Sequence, residues 1–248
     1  MEILLVLVAA FFAGILNTIA GGGTFLTFPA LVFIGVPPIV ANATSAVAVF
    51  PGYLGGAFGF REELSKFDKM QMLKLLAVTF VGGLIGALLL LVSSNDAFSI
   101  VVPFLLLAAT LAFLYGDVIR TWAANKSHSV TPFGTLGLLL VTTYGGYFNG
   151  GLGIVLLALF ALWGMVDIHS MNGLKSGLSF ALSAISVAVF AVGGLVEWHH
   201  AVGMMVASTL GGYAGAPIAR MLPKSVVRGV IAFVGFTMSA VFFARLIW

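Results

Sequence analysis

The chain has no cysteine, and only 8% of its 248 residues are charged. The absence of cysteine excludes disulfides, thiolate metal sites and iron–sulfur clusters. The scarcity of charge excludes an ordinary soluble domain, in which roughly 25% of residues are charged. Since 61% of the residues are hydrophobic, the chain cannot cover its surface with polar groups. We therefore expect an integral membrane protein, with lipid as its solvent.

Carboxylates are also missing from the middle of the apolar stretches, which argues against a transporter of metal cations. The apolar stretches fall at about residues 3–20, 24–35, 39–60, 71–92, 97–116, 132–149, 151–165, 170–193, 200–219 and 226–247. A bilayer span needs roughly 20 residues, and about seven or eight of the stretches are long enough. This spacing predicts an all-α fold.

The sequence repeats its landmarks in the same order. Residues 14–23 read GILNTIAGGG, and residues 146–153 read GYFNGGLG. Residues 82–87 read GGLIGA, and the similar segment GGYAGA occurs at 211–216. In both segments, small residues four apart indicate close helix packing. Internal duplication in an apolar chain is typical of a membrane transporter, whose site lies between its repeats.

Positive charge orients the chain, because cytoplasmic loops are rich in Lys and Arg. Nine of the eleven basic residues lie in three segments, at 61–74, 120–126 and 220–228. The turns at 93–96 and 194–200 contain none and should face outward. Counting the membrane crossings between these loops then gives two inverted repeats of about five apolar segments each. It also places both termini on the outer side of the cell inner membrane.

The predicted organisation is one transmembrane domain, with a first repeat at 1–120, a cytoplasmic linker at 121–131 and a second repeat at 132–248. Each repeat has a short segment, 24–35 or 151–165, that follows a glycine cluster expected to break the helix. These segments either cross the membrane or turn back inside it, and the sequence leaves both open. Broken segments at matching positions of two repeats indicate a transport site.

Four asparagines occupy equivalent positions in the two repeats: Asn17, Asn42, Asn149 and Asn172. An amide in an apolar segment needs hydrogen-bond partners, so each side chain should face the bundle interior. One interpretation makes them helix-to-helix contacts or caps beside the broken turns. The other makes them the lining of a cavity, where helices beginning near Thr24 and Gly153 offer backbone N–H groups to an anion.

Lys175 lies outside the basic loops, about six residues or roughly 9 Å into its apolar segment. Its side chain either snorkels to the cytoplasmic interface or supplies a fixed positive charge for an anionic substrate. Its counterpart in the first repeat is Thr44-Ser45, which offers hydroxyl groups. One cation together with hydroxyls and amides suits a small anion such as sulfite or a sulfonate.

The glycine run AGGGxFLxxP at 20–29, the Ala-Thr-Ser step at 43–45 and the repeated GGxxGA segments resemble the sulfite exporter TauE/SafE family, also called TSUP. The resemblance covers essentially the whole chain and implies a multispanning permease for small sulfur-containing or organic anions. The family's glycine-rich breaks and Thr-Ser steps fall on 21–23, 150–153, 44–45 and 175–176. The last of these departs from the pattern, since this chain has Lys-Ser there.

We predict a secondary transporter that moves a small anion, such as sulfite, thiosulfate or an organosulfonate, by alternating access. The alternatives are a passive anion channel on the same scaffold and a membrane-embedded enzyme, which no sequence feature supports. The expected partners are the anionic substrate and the lipid bilayer, with a homodimer left open; no nucleic acid, cofactor, metal or catalytic residue is expected. The predicted substrate-binding residues are Asn17, Gly21, Gly22, Gly23, Asn42, Thr44, Ser45, Asn149, Gly150, Gly151, Asn172, Lys175 and Ser176.

Overall fold

The computed structural model describes residues 2–19, 22–126, 132–221 and 224–247, and these residues form twelve α-helices and no strand. The all-α membrane fold predicted from the sequence is confirmed. The helices of the first half are α1 (Glu2–Ile19), α2 (Thr24–Phe33), α3 (Pro38–Gly59), α4 (Arg61–Leu64), α5 (Lys69–Val92) and α6 (Asn95–Leu114). They are followed by α7 (Gly116–Asn125), α8 (Thr135–Tyr147), α9 (Leu152–Leu162), α10 (Ile168–Val192), α11 (Trp198–Met221) and α12 (Lys224–Ile247).

The helices fall into two classes by length. Among the described residues, α5, α6 and α10 are long and apolar enough to cross a membrane. By length alone, α1, α3, α11 and α12 also reach the 17–25 residues that a span requires, at 18, 22, 24 and 24 residues. By contrast α2 has 10 residues and α9 has 11, so each is roughly 15–17 Å long, about half the hydrocarbon thickness. Neither short helix crosses a bilayer by itself.

Five helices other than α4 and α7 follow one another in each half of the chain. Leaving out α4 and α7, the first half runs α1, α2, α3, α5, α6 and the second runs α8, α9, α10, α11, α12. The main helix contacts join one half to the other: α1 packs against α11, α5 against α8, α3 against α10, and α6 against α12. Each of the first two pairs joins the first helix of one half to the fourth helix of the other.

Glycines permit the closest of these helix contacts. A Cβ atom added to Gly86 would overlap the carbonyl oxygen of Thr143 in α8, and one added to Gly82 would overlap the Thr142 hydroxyl. In the other pair, a Cβ on Gly211 would overlap the carbonyl oxygen of Phe11 in α1. The close packing predicted from the GGxxGA segments is confirmed at these three glycines.

The pair α3 and α10 runs antiparallel, with a register fixed at two points. The rings of Phe50 and Phe180 stack with centroids 5.2 Å apart. A Cβ atom on Gly173 would lie 3.1 Å from the Cβ of Phe60, at the end of α3. The N-terminal end of α10 therefore lies beside the C-terminal end of α3, and the two helices stay in contact.

Two helices, α4 and α7, are absent from the sequence prediction. The predicted linker began at residue 121, whereas α7 already begins at Gly116 and packs against α9. Apolar residues in α7 recur at helical spacing, with Ile119 and Ala123 toward the protein and Trp122 exposed. Hydropathy alone missed this amphipathic segment because its average polarity is that of a loop. Residues 127–131 of the predicted linker lie outside the described residues.

Candidate functional site at the paired helix breaks

The first break separates α1 from α2 and is closed by Asn17. The backbone N–H of Gly23 donates a hydrogen bond to Asn17 Oδ1 at 2.8 Å, and α2 begins at the next residue. A Cβ atom on Gly23 would stand 2.7 Å from Asn17 Nδ2 and 2.8 Å from the carbonyl oxygen of Ala13, so glycine is needed for this approach. Gly22 is buried against Ile231. The predicted site residue Gly21 lies outside the described residues.

The second break separates α8 from α9 and is held by two tyrosines. Gly151 adopts φ +73°, in the left-handed region that glycine tolerates best, and α9 starts after it. Asn149 is buried, and its Oδ1 accepts a hydrogen bond from the Tyr53 hydroxyl at 3.3 Å. The Tyr144 hydroxyl donates to the carbonyl oxygen of Gly150. Neither tyrosine belongs to a sequence motif. Only the folded chain brings Tyr53 of α3 to residue 149, whereas Tyr144 precedes Gly150 by six residues.

Helix α3 contacts both breaks. The Asn42 side-chain nitrogen donates a hydrogen bond to the carbonyl oxygen of Tyr147, 2.9 Å away at the end of α8. Three residues later, the Ser45 hydroxyl lies 2.6 Å from the Thr27 hydroxyl in α2. Together with Tyr53, these contacts place α3 of the first half between α2 and the second break. Asn42 and Ser45 are both buried.

The N-termini of the two short helices have the same form. Gly23 stands at the N-cap of α2 and Gly151 at the N-cap of α9, and neither helix start carries a side-chain cap. Several N–H groups at these starts are already bonded: those of Phe25 and Leu26 to the carbonyl oxygens of Gly22 and Gly23, and those of Leu152 and Ile154 to the carbonyl oxygens of Asn149 and Gly151. Each helix start still presents the positive end of the helix dipole. This arrangement favours an anion at either break.

Thr44 is held at a different place. Its buried hydroxyl oxygen accepts a hydrogen bond from the backbone N–H of Glu197 at 2.9 Å. Residue 197 lies in the turn between α10 and α11, so Thr44 ties that turn to α3. The structure brings Thr44 to this turn rather than to a helix break, whereas the sequence grouped it with Ser45.

The second-repeat residues Asn172, Lys175 and Ser176 form a separate group near the start of α10. Lys175 Nζ donates a hydrogen bond to Asn172 Oδ1 at 3.0 Å. Both side chains are half-buried, and Ser176 is buried. The register of α3 against α10 gives the separation of Lys175 from Asn42 along the helix axes. At a rise of 1.5 Å per residue it is about 20 Å. The predicted site residues therefore fall into two groups.

Lys175 has no opposite charge beside it. Among the residues that the structure describes, no carboxylate lies within 4.0 Å of its ammonium group. An amide oxygen satisfies one of the three donors of a lysine and neutralises none of its charge. A half-buried positive charge without a counter-ion attracts an anion.

The chain resembles known transport proteins over nearly its whole length. A family model described as sulfite exporter TauE/SafE matches residues 6–242. A probable membrane transporter protein of Haemophilus influenzae is 29% identical over 231 residues, covering 93% of this chain and 90% of the relative. The probable membrane transporter protein YfcA of Escherichia coli K12 is 29% identical over 234 residues, covering 93% and 86%. The probable membrane transporter protein ORF9 of a Sinorhizobium species is 28% identical over 243 residues, covering 94% and 88%. No solved structure matches the chain.

Proposed function

Because the chain belongs to the sulfite exporter TauE/SafE family and is a membrane transporter, we propose that it moves a small sulfur-containing oxyanion across the cell inner membrane. The proposed substrates are sulfite, thiosulfate or an organosulfonate. The observation that carries the proposal is the pair of helix N-termini at the two glycine breaks, where Gly23 and Gly151 precede α2 and α9.

Charge supports an anion rather than a cation. Lys175 supplies a positive charge without a neighbouring carboxylate in the described part of the chain, and the helix N-termini supply partial positive charge. Asparagine amides and serine hydroxyls supply hydrogen-bond donors that sulfonate or sulfite oxygens can accept. A metal cation would instead need oxygen ligands with negative charge.

The proposed mechanism is alternating access. The two breaks would hold the anion between the halves while one half rocks against the other, as in transporters built from inverted repeats. In this arrangement both termini face the outer side, and the loop between α3 and α5 faces the cytoplasm. A passive channel would use the same residues but would show neither saturation nor counterflow.

The test is transport by purified protein in liposomes, using radiolabelled sulfite with thiosulfate, sulfoacetate, taurine, sulfate and chloride as competitors. We expect saturable uptake and counterflow for one sulfur oxyanion. Lys175→Ala should abolish flux, whereas Lys175→Arg keeps the charge and should retain part of it. Wild-type flux through the alanine variant would remove Lys175 from the mechanism, and conductance without counterflow would favour the channel.

Thermal unfolding in detergent gives a second measurement. A ligand present at 100 times its Kd stabilises the folded state by roughly 2.7 kcal/mol. The transported anion should therefore raise the unfolding midpoint of the parent protein and leave that of Lys175→Ala nearly unchanged.

A further inference from the structure

Helix α10 carries a polar stripe of which the predicted site includes only Asn172 and Ser176. Asn172, Ser176, Ser179, Ser183 and Ser186 follow one another at alternating spacings of four and three residues. Residues at this spacing share one face of a helix. All four serines are at least 90% buried, so the stripe faces protein and not lipid, and it extends about 21 Å along α10.

The stripe lies between two packed neighbours. On one side of it Phe180 stacks on Phe50 of α3. On the other side Ile185 faces α5, where a Cβ atom on Gly83 would lie 2.9 Å from its Cγ2. The serines therefore face the space between α3 and α5 where both pack on α10, which we call the three-helix groove.

Helix α5 has a buried hydroxyl at the level of this groove. Gly83 lies beside Ile185, and a Cβ on Gly193 would meet Leu91, so α5 and α10 run parallel in a constant register. This register puts Thr79, one turn before Gly83, at the level of residues 179–183 of α10. Thr79 is fully buried.

Unpartnered polar atoms are concentrated in the three-helix groove. Five buried side-chain atoms in the described residues lack a hydrogen-bond partner, and three of them are the hydroxyls of Thr79, Ser183 and Ser186. A fourth is Asn42 Oδ1, which the α3–α10 register puts within roughly one to two turns of Ser186. Buried polar groups are normally hydrogen-bonded, and leaving one unpaired destabilises the folded state. Four such atoms along one groove indicate a ligand or water path.

We propose that the three-helix groove is part of the translocation path and that Thr79, Ser183 and Ser186 donate hydrogen bonds to the oxyanion as it passes. The proposal rests on the proposed transport function and extends it to residues outside the predicted site. Three hydroxyl donors match the oxygens of a sulfite or sulfonate group. Asn42 Oδ1 accepts a hydrogen bond from a water that accompanies the anion. At its other end the stripe reaches Asn172 and its partner Lys175, so the groove joins the two groups of predicted site residues.

The first test is accessibility, which does not depend on knowing the substrate. The parent chain has no cysteine, so Ser183→Cys and Ser186→Cys each introduce a single thiol with little change in volume. The control is Ser239→Cys, because Ser239 of α12 is equally buried and its hydroxyl donates to the Pro103 carbonyl oxygen at 2.9 Å. The reagent is an anionic sulfonatoethyl methanethiosulfonate applied to protein in liposomes. We expect labelling at 183 and 186 at least tenfold faster than at 239.

The second test is transport by isosteric or nearly isosteric variants. Thr79→Val combined with Ser183→Ala and Ser186→Ala removes the three donors. It should raise the half-saturating anion concentration about tenfold or more, because the anion loses three hydrogen-bond donors. Ser239→Ala should lower the thermal midpoint and leave the half-saturating concentration unchanged.

The outcomes separate this proposal from the transport proposal. Two results together would overturn the path and leave the transport function intact. They are labelling at 183 and 186 no faster than at 239, and normal transport by the folded variant that lacks the three hydroxyls. Fast labelling at 183 and 186 in a protein that moves none of the sulfur anions would support the path and overturn the substrate class.

Discussion

The Asn42 side-chain nitrogen in α3 donates a hydrogen bond to the carbonyl oxygen of Tyr147, 2.9 Å away and 105 residues later in the chain. Tyr147 is the last residue of α8, so this bond fixes the position at which the second break begins. The bond joins a helix of the first half to the break of the second half. Movement at that break must therefore either carry α3 with it or break the bond.

Asn42→Leu tests this connection. The substitution keeps the side-chain volume but leaves the Tyr147 carbonyl without its donor, at a cost of about 1–3 kcal/mol in the free energy of unfolding. We expect a lower thermal midpoint in detergent and reduced transport. Asn125→Ala, at the exposed end of α7, is the control and should change neither. An Asn42→Leu variant with the parent's midpoint would show that the bond does not stabilise the break.

Gly86→Ala tests the close contact of α5 with α8. The added Cβ would overlap the Thr143 carbonyl oxygen and approach the Tyr147 nitrogen to 2.7 Å. These are backbone atoms, so the helices must separate, and overpacking of this kind costs about 1–3 kcal/mol. The matched control is Gly52→Ala in α3, where nothing lies within 4 Å of the new Cβ. Thermal unfolding should show a clear loss for the first variant and no loss for the second. Equal midpoints would contradict the contact.

The inverted orientation of the halves is tested on equivalent loops. Ser65 lies between α3 and α5, and Val192 ends α10 just before the turn to α11; both are exposed. In intact cells, a membrane-impermeant maleimide should label Val192→Cys from outside and should reach Ser65→Cys only after the cells are opened. Labelling of both from the same side would exclude inverted repeats.

The N-terminus of α10 should contribute a pH-dependent stability. The Ser170 hydroxyl and N–H and the His169 N–H donate to the Asp167 carboxylate, and these bonds hold its pKa below the usual value. A lowered folded-state pKa gives stability that is present above the unfolded-state pKa of about 3.9 and is lost as the pH falls through the folded-state value. Asp167→Ala should therefore lower the midpoint at neutral pH, with a difference that shrinks below about pH 4. A difference that stays constant down to pH 3 would contradict this assignment.

The sequence predicts features that depend on local composition. Hydropathy gives the order of the long helices to within a few residues, and the glycine clusters give breaks before α2 and α9. The contacts between distant faces are not predictable in this way. The bond from the Glu197 N–H to Thr44 joins residues 153 apart, and the distance between Lys175 and Asn42 depends on how α3 packs on α10. The serine spacing in α10 is visible in the sequence, but its burial between three helices follows only from the fold.

The exchange of partners between the halves has a consequence for biosynthesis. When residues 1–125 have entered the membrane, the glycine faces of α1 and α5 still lack α11 and α8. Those faces remain in contact with lipid until the ribosome has made the rest of the chain. Folding therefore completes only after insertion of the last helices, and a chain truncated after α7 is a target for membrane proteolysis. Each half therefore needs helices of the other half to complete its packing.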